Sequence, residues 1–310
     1  MQTSPLGSSG LRTSRLAYGC WRIARTNDPA ADFITARGAV EAALEAGYTL
    51  FDHADIYCLG QAEEVFGRVL HELKGVRDKM VIASKSGIRR QGDPLPDAPY
   101  RYDFSADYIV RQCEGSLRRL QIDRIDIYQL HRPDWLMDPH EVASAFDRLH
   151  RAGKVRFFGV SNFTPSQLSL LQSAWSQPLV VNQIEISLCQ LTPFTDGTLD
   201  QCLEKKIIPL AWSPLGGGLL ADGATDVLQH QRSYRVADLI ATLDEIATAH
   251  GTTRDIIALA WLLRHPSGII PIVGTTRPKR ILAAAKATEI NLTREEWYRL
   301  LTAARNEPLP

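Results

Sequence analysis

Short apolar runs alternate with helix-patterned stretches along most of the chain, and this alternation restricts the fold more than any single motif. Eight runs stand in series: Leu16–Gly19, Thr49–Phe51, Met80–Ala83, Ile125–Leu130, Phe157–Val160, Leu179–Val181, Ile207–Ala211 and Ile269–Val273. Several are continuously apolar, as strands must be when helices cover both faces of the sheet. Strands alternating with helices read as βα units that carry a parallel sheet. Eight units in series favour a closed (β/α)8 TIM barrel over an open sheet.

Local signals agree with that reading. Ile109, Cys113, Leu117 and Leu120 recur at helical spacing, as do Val142, Phe146 and Leu149. The second group follows Asp138-Pro139, a cap residue with proline at the first helical position. Pro5 to Leu11 has the turn chemistry of a short N-terminal β-hairpin, which would plug the bottom of the barrel. Three long stretches follow strands, Ser86–Phe104, Arg132–Pro139 and Gly216–Val236, and in a barrel all three crowd one mouth. There is no internal repeat or linker-like tract, so residues 1–310 read as a single domain.

Composition narrows the partners. The 310 residues are 45% hydrophobic and 23% charged, with 35 Lys plus Arg balanced by 35 Asp plus Glu. That balance supplies no overall field to draw the chain to nucleic acid or to an anionic membrane. Cys20, Cys58, Cys113, Cys189 and Cys202 are scattered without a C-x-x-C pair, which argues against a disulfide framework and a zinc site. The N-terminus lacks the basic and apolar regions of a secretory signal, and no later apolar run is long enough to span a membrane. The expected location is the cytoplasm.

Four polar residues stand at or just beyond the ends of different segments: Asp52, Tyr57, Lys85 and His131. Residues at the C-terminal ends of barrel strands converge on one mouth, so distant groups can form one reaction centre. An ammonium beside a phenol favours the phenolate, and a desolvated lysine needs a carboxylate partner to stay charged. Tyr57 would then be a proton donor, Lys85 its activating cation, Asp52 the partner of Lys85, and His131 a holder of substrate oxygen. Such a set fits carbonyl reduction, in which hydride reaches carbon while Tyr57 protonates the developing alkoxide. Taken singly, Asp52 and Lys85 also read as a structural ion pair, and His131 as a strand cap.

A nicotinamide hydride donor needs sites for its carboxamide, ring and phosphates. Ser161-Asn162, Gln183 and Trp212-Ser213 stand at later strand ends, where amides pair with a carboxamide and an indole stacks on a pyridine ring. Gly216-Gly217-Gly218-Leu219-Leu220-Ala221 nominally matches G-x-G-x-x-A but runs into Asp222-Gly223-Ala224-Thr225-Asp226 instead of a helix. It reads as a flexible glycine loop over a pyrophosphate, or as an ordinary surface loop. Gly274-Thr275-Thr276-Arg277-Pro278-Lys279-Arg280 gathers three cations and two hydroxyls at a helix start, which suits a 2′-phosphate and favours NADP over NAD. A solvated basic helix start is the plainer alternative.

The motifs Phe51-Asp52-His53-Ala54-Asp55-Ile56-Tyr57, Ser84-Lys85, Asp126-Ile127-Tyr128-Gln129-Leu130-His131, Gly159-Val160-Ser161-Asn162-Phe163, Asn182-Gln183-Ile184-Glu185 and Trp212-Ser213-Pro214-Leu215-Gly216 together resemble the aldo-keto reductase superfamily, from Leu6 to about Leu301. His131-Arg132-Pro133-Asp134-Trp135-Leu136-Met137-Asp138 further resembles a bacterial branch of oxidoreductases. The resemblance implies a (β/α)8 barrel, NADPH as cofactor, a small carbonyl substrate, and Asp52, Tyr57, Lys85 and His131 as the catalytic set. It implies that Trp212 stacks on the nicotinamide, that Ser161, Asn162 and Gln183 hold its carboxamide, and that Ser213, Leu215 and Gly217 meet the pyrophosphate. Thr275, Arg277 and Arg280 would meet the adenosine phosphate, Cys20 and Trp21 would edge the nicotinamide site, and Trp21, His53 and Trp135 would shape the substrate pocket.

Three positions depart from the family pattern. His53 replaces a usual Thr and would bring a second imidazole near the pocket; Cys58 replaces a common Gly after Tyr57; Ala283-Ala284 replaces a Glu-Asn pair associated with adenine. Two rival functions stay in view. One is a Schiff-base lyase with Lys85 as nucleophile, and the other is a slow-turnover NADPH-binding redox-sensing protein.

Overall fold

The computed structural model describes residues 1–26, 28–222 and 227–309. Two antiparallel strands open the chain, β1 (Thr3–Pro5) and β2 (Arg12–Ser14), with Thr3 opposite Ser14. Then come β3 (Ala17–Gly19), β4 (Leu50–Asp52), β5 (Val81–Ser86), a short antiparallel pair β6 (Ile88–Arg89) and β7 (Arg101–Tyr102), and β8 (Ile125–Leu130). The series ends with β9 (Val155–Ser161), β10 (Leu179–Glu185), β11 (Ile208–Trp212) and β12 (Ile270–Val273). Strands β3, β4, β5, β8, β9, β10, β11 and β12 pair in parallel and close on themselves as a barrel.

Among the described residues, ten helices lie between and after these strands. They are α1 (Pro29–Glu45), α2 (Gln61–Glu72), α3 (Ala106–Leu120), α4 (Pro139–Arg151), α5 (Pro165–Ala174), α6 (Thr198–Lys205), α7 (Ala237–Ala249), α8 (Arg254–Leu263), α9 (Pro278–Ala284) and α10 (Arg294–Arg305). Their starts follow local chemistry. Asp138 accepts a hydrogen bond from the His140 backbone at 2.8 Å ahead of Pro139, as the Asp-Pro signal predicts. Thr164 with Gln167, and Thr293 with Glu296, form reciprocal capping boxes. No helix among the described residues is long and apolar enough to cross a membrane.

The period-two geometry of a strand assigns each residue to the barrel interior or to the helix layer. Ala17, Leu50, Val81, Ala83, Ile127, Val181, Leu210, Ile270 and Ile272 form the interior cluster, with Phe157 packed against it. Phe51, Ile82, Tyr128, Phe158 and Val160 alternate with them and pack under the helices. Leu6, at the turn of the N-terminal hairpin, is fully buried in the interior cluster. A Cβ on Gly7 would lie 2.3 Å from the carbonyl oxygen of Lys206, just ahead of β11, so the hairpin closes the bottom of the barrel as expected.

The strands run further toward the mouth than the apolar runs do. Asp52 ends β4, Lys85 lies inside β5, Ser161 ends β9, Gln183 lies inside β10 and Trp212 ends β11. Backbone pairing does not stop where side chains turn polar, so hydropathy marks the apolar floor and not the strand's end.

Helix α2 is anchored through small and charged residues. Ser84 donates to Glu63 at 2.6 Å, and Arg119 from α3 bonds the same carboxylate at 2.7 Å. A Cβ on Gly67 would stand 2.4 Å from the Arg119 carbonyl oxygen and 2.8 Å from the Leu120 carbonyl carbon, backbone atoms that cannot swing aside. Gly38 in α1 has open space around the same position. Gly67→Ala is therefore expected to lower unfolding stability by about 1–3 kcal/mol through overpacking. Gly38→Ala should raise it by about 0.5–1 kcal/mol through helix propensity. Chemical denaturation of both variants checks the pair.

Candidate active site

The inward-facing positions one step above the apolar floor carry the polar residues. Lys85 lies 1% exposed inside the barrel mouth. Its ammonium reaches both Asp52 carboxylate oxygens at 2.7 and 2.9 Å, the His53 carbonyl oxygen at 2.7 Å and the Tyr57 hydroxyl at 3.1 Å. An ammonium has three N–H donors, so every donor is engaged. The turn that carries Tyr57 is fastened to β5 by backbone bonds from His53 to Ala83 at 2.9 Å and from Asp55 to Lys85 at 3.0 Å. The four residues predicted as catalytic therefore meet at one place: the His131 ring lies edge-on to the Tyr57 ring, with centroids 5.8 Å apart.

Burial governs the protonation states. It pushes the Tyr57 phenol above its ordinary value, and the Lys85 ammonium pulls it back only in part, so the cation moderates a rise. Burial opposes charge on Lys85 as well, yet Asp52 and Tyr57 outweigh it and hold the ammonium above its usual range. His131 is driven well below the ordinary imidazole range by burial, then by Lys85 and Arg132, so it is neutral at physiological pH. Its Nδ1 has no hydrogen-bond partner among the described residues.

A second group of predicted residues forms a polar chain across the mouth. Gln183 donates to Asp52 at 3.1 Å, Ser161 donates to the Gln183 carbonyl oxygen at 2.8 Å, and Asn162 donates to Ser161 at 2.8 Å and to the His131 carbonyl oxygen at 3.2 Å. The Asn162 side-chain oxygen accepts the Trp212 indole N–H at 2.9 Å. The Arg132 guanidinium carbon stands 5.4 Å from the Trp212 ring centroid. Asn162 and Ser213 take left-handed φ values of +61° and +48°, a conformation costly for side chains other than glycine. The Gln183 side-chain oxygen is buried with no donor among the described residues, an acceptor that a carboxamide NH2 would suit.

Some predicted residues are turned elsewhere. His53 is corrected as a pocket residue: it is fully buried, its ring meets Phe66 of α2 at 4.3 Å, and burial drives its imidazole down to about 3. Because Asp52 faces the barrel interior, the next side chain must face the helices. Trp135 does not wall the site; it is 89% exposed on the loop after β8. The Cys20 side chain is fully buried in the layer under the helices, so only its backbone can border the mouth. Trp21 is at the mouth, its ring centroid 6.2 Å from that of Tyr57, with Arg22 and Arg25 within 5.2 Å of its ring. Cys58 adopts φ +50°, the left-handed turn a glycine would take without strain, and its thiol reaches the Trp21 carbonyl oxygen at 3.2 Å.

The expected phosphate contacts lie apart from this centre. Gly216, Gly217 and Gly218 have φ of +56°, +71° and +105° in a tight turn, and a Cβ on Gly217 would stand 2.5 Å from the Gln231 side-chain oxygen. Leu215, half-buried, leads into that turn. Glu185, ending β10, takes hydrogen bonds from Gln231 at 2.7 Å and Tyr234 at 3.3 Å and pairs with His230 at 2.8 Å, which straps this segment across the mouth. Residues 223–226 of that loop lie outside the described residues. Thr275 and Arg277 precede α9, and Arg280 in its first turn pairs with Asp222 of the glycine loop at 2.7 Å.

A parallel eight-stranded barrel with a Tyr, Lys, Asp and His set at its mouth defines a class of oxidoreductase. The chain belongs to the aldo/keto reductase family, whose model matches residues 15–304. It is 42% identical over 311 residues, covering 98% of this chain and 96% of its relative, to the 6-dehydroglucose reductase of Novosphingobium aromaticivorans. A protein of the same name from Agrobacterium fabrum is 41% identical, with 96% of each chain covered. The crystal structure of the thermostable aldo-keto reductase Tm1743 with the inhibitor epalrestat superimposes with a TM-score of 0.81 at 28% identity, covering 98% of this chain and all of that one. The chain is thus an oxidoreductase of the aldo-keto reductase family, a group that generally uses NAD(P)H.

Asp55, two residues before Tyr57, was not singled out in the sequence. Burial and then Glu63 push its carboxyl up to about 8, and one of its oxygens has no partner among the described residues. Its folded value exceeds its unfolded one, so the stability it contributes is full at low pH and is lost as pH rises toward 8. The wild-type melting temperature should therefore fall more steeply from pH 5 to pH 8 than that of Asp55→Asn, as scanning calorimetry will show.

Proposed function

We propose that this chain, acting as one catalytic domain, reduces an aldehyde or ketone to an alcohol with NADPH, reversibly, and that its substrate is a sugar-derived carbonyl compound. The observation that carries this reading is the Tyr57 hydroxyl held 3.1 Å from the buried Lys85 ammonium at the barrel mouth. The sugar class rests on the names of two relatives above 40% identity.

When bound, NADPH supplies the hydride. Tyr57 holds the proton that neutralises the developing alkoxide, and its raised pKa keeps that proton in place until charge appears on the substrate oxygen. Lys85 stabilises the phenolate left behind, and Asp52 keeps Lys85 charged. Neutral His131 offers an imidazole nitrogen to the same oxygen without adding a competing cation. The Gln183 oxygen, with Ser161 and Asn162, would hold the carboxamide; Trp212 would pack on the ring; Ser213, Leu215 and Gly217 would meet the pyrophosphate; Thr275, Arg277 and Arg280 would meet the 2′-phosphate. The Schiff-base alternative is disfavoured because Lys85 has no free electron pair while every donor is engaged.

Tyr57→Phe should retain NADPH affinity within about threefold and lose about 10²–10⁴-fold in kcat/KM. Fluorescence titration and steady-state assay separate the two quantities. Near-normal turnover would remove Tyr57 as the acid. Lys85→Met should slow turnover and move the alkaline limb of the pH–rate profile to higher pH, since the phenol loses the cation that lowers its pKa. That variant should also lose about 3–5 kcal/mol of stability by stranding buried Asp52. Arg277→Ala with Arg280→Ala should weaken NADPH binding about tenfold or more, with NADH affinity changed far less; equal losses for both would place the phosphate elsewhere.

A further inference from the structure

We propose that Arg132 is the specificity-determining residue of this site, reading a pair of neighbouring oxygens on the substrate, either vicinal hydroxyls or a carboxylate, beside the carbonyl that is reduced. This deepens the carbonyl-reductase reading and rests on it.

Arg132 follows His131 directly, and its half-buried side chain leans over the Trp212 ring at 5.4 Å. Its charge acts on Tyr57 and His131 in the reaction centre and also on Tyr100 in the loop after β6. The guanidinium makes no hydrogen bond or ion pair to any of the described residues, as does no other part of the Arg132 side chain.

The surrounding acids explain this. Asp134, two residues on, spends one oxygen on the Phe104 backbone at 3.0 Å and the other on the Leu136 backbone at 2.9 Å. Asp52 is committed to Lys85 and Gln183, and Glu185 to His230, Gln231 and Tyr234. Each of these three acids holds the architecture, and the guanidinium over Trp212, close enough for its charge to act on Tyr57 and His131, is left without a carboxylate partner among the described residues.

A partly dehydrated guanidinium whose donors lack protein acceptors is matched best by a ligand that brings two oxygens in one plane. Lysine cannot reproduce that planar fork. The indole of Trp212 restrains the guanidinium through its ring face, so less rotational freedom is lost when oxygens bind. The arrangement favours substrates with oxygen substituents near the carbonyl over plain alkyl aldehydes of the same length.

The test compares wild type, Arg132→Met and Arg132→Lys on D-glyceraldehyde, succinic semialdehyde and butanal, with NADPH affinity measured alongside. Removing the cation near Tyr57 slows all three substrates to some common degree. Beyond that, Arg132→Met should cost glyceraldehyde, succinic semialdehyde or both a further 30-fold or so in kcat/KM, chiefly in KM, and Arg132→Lys should recover only part of it. The substrate that suffers most identifies hydroxyls or carboxylate as the source. Losses equal within threefold across the three aldehydes, or a matching loss of NADPH affinity, would overturn the proposal. If wild type reduces none of them, the carbonyl-reductase reading fails. Tryptophan fluorescence titration of the NADPH-loaded protein with glucose, glucuronate and butanol then decides the matter separately: tighter binding of glucose or glucuronate than butanol that vanishes in Arg132→Met supports the role, and identical affinities in both proteins refute it.

Discussion

The buried ammonium of Lys85 is the constraint on which the mouth of the barrel depends. A charge withdrawn from water is tolerated only where its partners replace hydration, and removing one partner strands the other. Here a carboxylate, a backbone carbonyl and a phenol surround one nitrogen. The apolar floor formed by Leu6, Leu50, Val81 and Ile127 offers nothing polar below it. Asp52, the bend at His53 and the ring of Tyr57 are thereby held together by a single electrostatic need.

Layering makes that need local. Below Asp52 and Lys85 the inward positions are apolar, and packing alone specifies them. Above, a chain of hydrogen bonds runs from Tyr57 through Lys85, Asp52, Gln183, Ser161 and Asn162 to Trp212. Backbone strain collects on this rim: Cys58, Leu59, Asn162 and Ser213 all have positive φ. Left-handed residues other than glycine cost about 1–3 kcal/mol each and persist where surrounding bonds over-determine them. The bonds of Asn162 to Trp212, Ser161 and the His131 carbonyl are of that kind.

Much of this was legible in the residues themselves. Continuous apolar runs located eight strands, and their number favoured closure, because parallel strands covered on both faces need no alternation to show themselves. The convergence of Asp52, Tyr57, Lys85 and His131 followed once the barrel was granted. His53 was misplaced although the information was present: with Asp52 inward, strand alternation turns its neighbour outward against Phe66. Gln183 was read only as a carboxamide partner, and its bond to Asp52 could not be seen from spacing, since it crosses the barrel between strands far apart in sequence. The effect of Lys85 on Tyr57 had the right sign but the wrong outcome, because the depth of burial is a property of the packed mouth.

Local order alone determined where strands and helices begin, which faces are apolar, and which chemical groups stand at the strand ends, because hydropathy period, caps and prolines act over a few residues. Only closure of the barrel decided which acids were already spent on Phe104 and the segment around Gln231, and so left Arg132 without a carboxylate partner among the described residues. Hydrogen-bond partnership is a short-range contest among groups distant in sequence, and its result exists only once all eight strands bring the competitors to one rim.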